Sequence, residues 1–485
     1  MNTLQHLAAG FAIVVAPLNL LAATLGTLLG TLVGTLPGLS PTQGVAILLP
    51  LTLALKLPPE TVLILLAVLY LGCQLGGRLS ASLDPRPRGT AGTPPAIWRG
   101  LAGLPLSISV WPSFAAALVA TLGIALLAPP LARWAQGFGP ADSFALASLV
   151  FAGAIGLAGD APLKAAVAAT LGLALSTVGL DASSGVHRFT GHQAYLSDGV
   201  PLLVVVVGVL SVSEIPLMLE RRLEHRSASG AAVSGLYQLL VARSAILRAP
   251  VRGFLVDVGP GPGPRLAGAA DALEPSGPRD APAREAARTL SAAGAFVPVL
   301  SLGVPGSAAM AVMVGALALH HIAAGPALFT EHPELAWSLI AALFVAPLPL
   351  LLCAHLPLLG AFAGLQRTPR WLLAPGLVAV GAVVVYSVHA AWFDLLLMAV
   401  IGLGSYLLRK QGVPMAPLIL GFVLGHTMEQ HLRHALSLSG GKLAVFWVSP
   451  TSKSLWLVAA ALLTLPPLLR HWGSQTRGAG SAAPR

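Results

Sequence analysis

What this chain has least of is charge. Only 9% of its 485 residues are Asp, Glu, Lys or Arg, against roughly 25% in soluble domains. No such side chain occurs between Met1 and Leu55. That scarcity, with 55% hydrophobic residues and a mean hydropathy of +0.81, excludes an ordinary soluble domain and points to a polytopic membrane protein. Cysteine is nearly absent too. Cys73 and Cys353 lie in apolar runs at no metal or redox spacing and read as packing residues. The N-terminus has no basic stretch of the kind that opens a cleavable signal, and its apolar run is too long for one, so the first segment is expected to remain as a helix.

Catalytic signatures are missing as well. There are no paired Asp motifs for a diphosphate, no His-Glu-x-x-His, no Gly-x-x-x-x-Gly-Lys-Ser/Thr and no repeated carbonyl-filter sequence. The expectation is therefore no enzyme, no metal and no cofactor. The net charge of +10 sits mostly in loops, which suits the positive-inside bias and not a nucleic-acid partner.

What is present is a series of apolar segments near 4–33, 42–56, 61–77, 105–127, 143–157, 163–180, 200–219, 291–319, 335–362, 371–388, 391–408, 414–428 and 455–469. One sizeable polar interval, 220–290, interrupts them. It carries a Gly-Pro run at 259–264 and a moderately apolar stretch, Val233 to Leu247, that reads as an interfacial or short buried helix. The expected organisation is a first membrane half at 1–219, a linker at 220–290, a second half at 291–470 and a disordered tail at 471–485. Loop charges place the linker and tail on the cytoplasmic side.

Two of the apolar runs are broken in the same way. Leu36-Pro37-Gly38-Leu39 ends one helix, and Ser40-Pro41-Thr42-Gln43 starts another: Ser40 as N-cap, Pro41 at the first position, Gln43 completing a capping box. In the second half Gly303, Pro305 and Gly306 break a run, and Ser307 can cap a fresh helix. Irregular backbone at membrane depth is tolerated where protein buries it or a watery cavity lines it. A half-helix starting there directs free N–H groups and a positive dipole end at an anion. The alternative is a pair of packed kinks. Gly139-Pro140-Ala141 and Gly325-Pro326-Ala327 are a further pair suggesting two related, inverted-repeat-like halves with discontinuous helices.

These blocks resemble the large membrane subunit of the tripartite tricarboxylate transporters, the TctA-type permeases. The likeness rests on Gly30 to Leu39, Gly44 to Thr52 and Tyr70 to Gly77. It continues through Ser176 to Asp181, Gly185 to Thr190, Leu302 to Ala308, Gly325-Pro326, Glu429 and Leu432 to Leu436. It implies an all-α bacterial inner-membrane secondary transporter that imports a carboxylate, a tricarboxylate or related organic anion. Such a permease is fed by a periplasmic solute-binding protein, works with a small membrane subunit, and is coupled to H+ or Na+ rather than ATP. The expected substrate contacts are Pro37, Gly38, Ser40, Thr42 and Gln43 in the first half and Gly303, Pro305, Gly306 and Ser307 in the second.

The chain departs from the family pattern at Leu83 to Thr90, Thr93 to Arg99, Val258 to Gly261 and Arg284 to Thr289. In the last, Arg288-Thr289 stands where the family carries two Asn residues. Side-chain amides offer oxygen acceptors to sodium and arginine offers none; a guanidinium instead grips a carboxylate. Arg288 and Thr289 are thus candidates for coupling or anion contact, the other reading of Arg288 being a loop residue at a helix start. The departures keep open a diverged, non-transporting paralogue with a binding or regulatory role.

His426, Glu429, Gln430, Arg433 and His434 share a helical face. They read as a solvated helix end or as a proton relay. His320-His321 reads as an interfacial cap. Arg188 reads either as a structural loop residue or as a contact for the substrate or binding protein.

Overall fold

The computed structural model describes residues 3–36, 39–82, 104–158, 161–181, 184–220, 289, 291–349 and 370–464. In chain order the helices are α1 (Thr3–Val15), α2 (Pro17–Thr35), α3 (Pro41–Ala54), α4 (Pro59–Ser82), α5 (Leu104–Ala135), α6 (Pro140–Gly156) and α7 (Pro162–Ser176). After β1 (Gly179–Leu180) and β2 (His187–Arg188) comes α8 (Leu202–Val207), which runs on through a π-helical segment, Gly208–Val212, to α9 (Glu214–Glu220). The later helices are α10 (Phe296–Leu302), α11 (Ala308–Leu319), α12 (Pro326–Thr330), α13 (Pro333–Val345), α14 (Arg370–His389), α15 (Trp392–Lys410), α16 (Met415–Leu438) and α17 over 450–464. The chain is an all-α polytopic membrane protein. Pro17–Thr35, Phe114–Ala135 and Trp392–Lys410 are long and apolar enough to cross a bilayer by length and composition, and shorter apolar helices accompany them.

Prolines divide what the apolar pattern leaves continuous. The run over 4–33 is two helices, because Pro17 supplies no N–H to the turn before it and opens α2. Asn19 secures the joint: its Nδ2 donates to the Ile13 carbonyl at 2.8 Å and its Oδ1 accepts from the Thr61 hydroxyl at 2.5 Å. At the other end of the chain, α16 runs past the expected 414–428 to Leu438, carrying its polar face with it.

The centre of the fold is α4. Every residue from Val62 to Leu71 is buried, the pattern of a helix enclosed on all sides. It packs against α2, α3, α11 and α13, so one core draws on both sides of the polar interval. Against α2 the approach is main chain to main chain. A Cβ added to Gly30 would lie 2.3 Å from the Leu69 carbonyl oxygen, one on Gly72 2.7 Å from that of Thr27, and one on Gly76 2.2 Å from that of Thr31. Small residues permit this packing where no water drives helices together. By contrast α15 turns Leu396, Val400, Leu403 and Leu407 outward, each more than half exposed, and buries Asp394, Met398, Gly402 and Ser405. The outward stripe leaves one face of this helix apolar and exposed.

Candidate functional site

Helix α3 restarts the chain as the sequence predicts. Ser40 has extended backbone angles, φ −104° and ψ 158°. Its Oγ accepts from the Gln43 N–H at 3.3 Å, and the Ser40 N–H donates to Gln43 Oε1 at 2.6 Å, which closes the capping box. Pro41 is the first helical residue and Thr42 is half-buried. Pro37 and Gly38, the expected breakers, lie outside the described residues. Leu36 before them is already extended, at φ −70° and ψ 131°.

The second restart has the same start and a different stop. Ser307 caps α11, its Oγ accepting from the Met310 N–H at 3.3 Å. Helix α10 ends at Gly303 in the left-handed region, φ 71°. There the main chain meets Gly325, itself at φ 96°: a Cβ on Gly303 would lie 2.6 Å from the Ala324 carbonyl oxygen, and one on Gly325 2.6 Å from the Gly303 nitrogen. Pro305 and Gly306 are buried. Gly325-Pro326 thus opens α12 and closes on the break at once, whereas Gly139-Pro140 opens α6 from φ −79°. The two capped helices, α3 and α11, pack against each other. Thr289 is buried; Arg288, Cys353, the 259–264 run, Val233 to Leu247 and the departures at 83–99 lie outside the described residues.

Gln43 faces inward. It is 2% exposed, and its Nε2 donates to the Leu210 carbonyl at 3.0 Å and to Glu214 Oε2 at 3.3 Å. Glu214 Oε2 also pairs with Arg409 Nη1 at 2.5 Å. The same Nη1 donates to Ser213 Oγ at 3.0 Å, and Ser213 donates to the Val209 carbonyl at 2.5 Å. The first restart is therefore wired to a buried ion pair beside a π segment, a feature often found at functional sites. Sequence reasoning missed Glu214 and Arg409. The signals were an acidic residue inside the apolar run 200–219, and the position of Arg409 on the face of α15 that carries the buried Asp394, Met398, Gly402 and Ser405, opposite its exposed apolar stripe.

At one end of α16 a second charge cluster ties the β hairpin down. Arg188 bonds Asp181 at 2.6 Å and Glu429 at 2.8 Å; Arg433 bonds Glu429 at 2.7 Å and Asp181 at 3.1 Å. The hydrogen bonds that Arg188 donates to Glu429 first, then to Asp181, raise its pKa above the ordinary range. Carboxylates thus engage Arg188 already, which favours its structural role. His426 and Gln430 pair at 2.9 Å, a contact within the face. His320 is the residue closing α11, as expected of a cap, and burial lowers its pKa. No group of three or more metal-ligating side chains occurs among the described residues.

Against family models the chain matches the one described as "Tripartite tricarboxylate transporter TctA family" over residues 20–420. It is similar to an Agrobacterium vitis protein described as "Uncharacterized 52.8 kDa protein in TAR-I ttuC' 3'region", 35% identical over 497 aligned residues that cover 97% of this chain and 98% of that one. Another Agrobacterium vitis protein, "Uncharacterized protein in TAR-II ttuC' 3'region", is 37% identical over 187 residues, covering 38% of this chain and 77% of that one. No solved structure gives a significant match. With most of its length matched by the family model, the chain belongs to the tripartite tricarboxylate transporter TctA family.

Proposed function

We propose that this chain is the permease subunit of a bacterial inner-membrane secondary transporter. It imports an organic carboxylate delivered by a periplasmic binding protein, beside a small membrane subunit and at the expense of an ion gradient. The observation that carries the reading is the pair of serine-capped half-helices, α3 and α11, starting from interrupted apolar runs and packed on one another. Each start carries a positive dipole end, the chemistry that favours a carboxylate. Ser40, Thr42 and Ser307 supply hydroxyls close by. Movement of one bundle against the other then exposes the site to each side in turn. No step requires a covalent intermediate, so the chain acts as a carrier and not an enzyme.

Pro37→Leu combined with Gly38→Leu is expected to abolish uptake of di- and tricarboxylates into proteoliposomes supplied with both partners, while membrane insertion stays intact. Normal uptake by that double variant would remove the first break from the site. Failure of the unaltered protein to move any carboxylate, with both partners present, would favour the non-transporting paralogue.

A further inference from the structure

Glu214 is the one charged residue in the apolar stretch 200–219, and its side chain is 8% exposed. Intramembrane charge is costly and usually marks a transport pathway. This carboxylate uses a single oxygen, Oε2, for both Gln43 and Arg409. Arg409 in turn engages through Nη1 alone among the described residues, leaving Nε and Nη2 open. Ser211 Oγ, three residues before Glu214 on the π segment, is buried without a hydrogen-bond partner among the described residues. The cluster therefore has unused donor capacity next to Gln43, the third residue of the half-helix that starts at the carboxylate site.

Resting on the transport function proposed above, we infer that Arg409 is the cation that receives the substrate carboxylate and that Glu214 is the group that takes up the coupling proton. In the empty protein the two neutralise each other. Bringing a second carboxylate into a low-dielectric site adds a negative charge that the pair cannot offset. The charge is restored when a proton binds a Glu214 oxygen: the ion pair to Arg409 opens, and the substrate carboxylate takes the guanidinium. Arg409 stays protonated throughout, since guanidinium does not titrate in this range. One carboxylate exchange thus carries one proton, which makes H+ the coupling ion. A sodium ion at the same place would meet the arginine's positive charge. Gln43 passes the exchange to α3, because loss of the Glu214 charge weakens the bond that fixes its Nε2.

The surrounding elements support this assignment. Helix α3, α8 and the π segment bring no ionisable residue; α14 brings Arg370, Tyr386 and His389; α15 brings Asp394, Tyr406 and Lys410 besides Arg409; α16 brings the stretch from His426 to His434. On α9 itself Glu220 is held by Tyr406 and Lys410. Among the described residues only Arg409 lies within ion-pairing distance of Glu214.

Isothermal titration of the full chain with citrate and with succinate, in buffers of different ionisation enthalpy, reads the protons taken up on binding. The unaltered protein should take up about one proton per carboxylate bound, and Glu214→Gln none. Because an unpaired Arg409 can itself impair folding, Glu214→Gln with Arg409→Gln serves as the neutral control; it should stay folded and lose carboxylate binding. Equal proton uptake by the unaltered protein and Glu214→Gln would overturn the exchange, as would sodium-dependent binding without proton uptake. The two readings fail separately. Binding with proton uptake but no flux in proteoliposomes would sink the transport function and leave the exchange standing, whereas flux with identical proton uptake in both proteins would do the reverse. Absence of both binding and flux would overturn both.

Discussion

The two helix restarts begin alike and are held differently. At Ser40 the cap is one end of a polar chain that continues through Gln43 to the π segment, Glu214 and Arg409. At Ser307 the third helical residue is Met310, so no amide closes a box, and the break is secured instead by main-chain contact between Gly303 and Gly325. A bond network of charges and amides can be rearranged by a proton or an anion. A glycine-on-glycine contact has no comparable chemical handle. For the transport function proposed above, the difference suits the first restart to movement and the second to anchorage.

Four substitutions test that division. The largest effect is expected from Arg409→Leu, which strands the Glu214 carboxylate in a buried position and should cost about 3 kcal/mol of stability. A thermal-unfolding midpoint in detergent that does not fall would show that the ion pair does not hold the first restart. Gly303→Ala forces a Cβ into the left-handed region and against the Ala324 carbonyl, and should cost about 2 kcal/mol. Were its midpoint unchanged, anchorage of the second break would have to come from elsewhere. The smallest effects belong to the caps. Ser307→Ala should cost about 1 kcal/mol, and Ser40→Ala somewhat more, because it also breaks the reciprocal half of a box. Equal losses would erase the asymmetry at this level.

Sequence shows best what is local. Ser40, Pro41 and Gln43 sit within four residues, and the capping geometry follows from their types and order. The αL stop at Gly303 is equally local. Membrane class follows from composition alone. Two features were not readable in that way. The division at Pro17 falls inside a run whose hydropathy does not change, so only the missing N–H marks it. Glu214 and Gln43 are 171 residues apart, and Arg409 and Ser213 are 196 apart. No periodicity within one helix reports such a pairing; each residue taken alone looks like an isolated charge in or beside an apolar segment. The cap motif places Gln43 at the third helical position, but does not disclose that its side chain also reaches the Leu210 carbonyl and the Glu214 carboxylate. The motif accounts for the capped start of α3, and the tertiary fold shows what that start is fastened to.

The crossing of α2 and α4 has a consequence for inheritance as well as for packing. At Gly30, Gly72 and Gly76 the obstacle to a larger residue is a carbonyl oxygen of the opposite helix, not a side chain. A mutation elsewhere that trims a neighbour ordinarily relieves a crowded core, but no codon change shortens a carbonyl. These three positions therefore have no second-site suppressor among nearby side chains, and their vocabulary is a single letter for as long as the two helices stay this close.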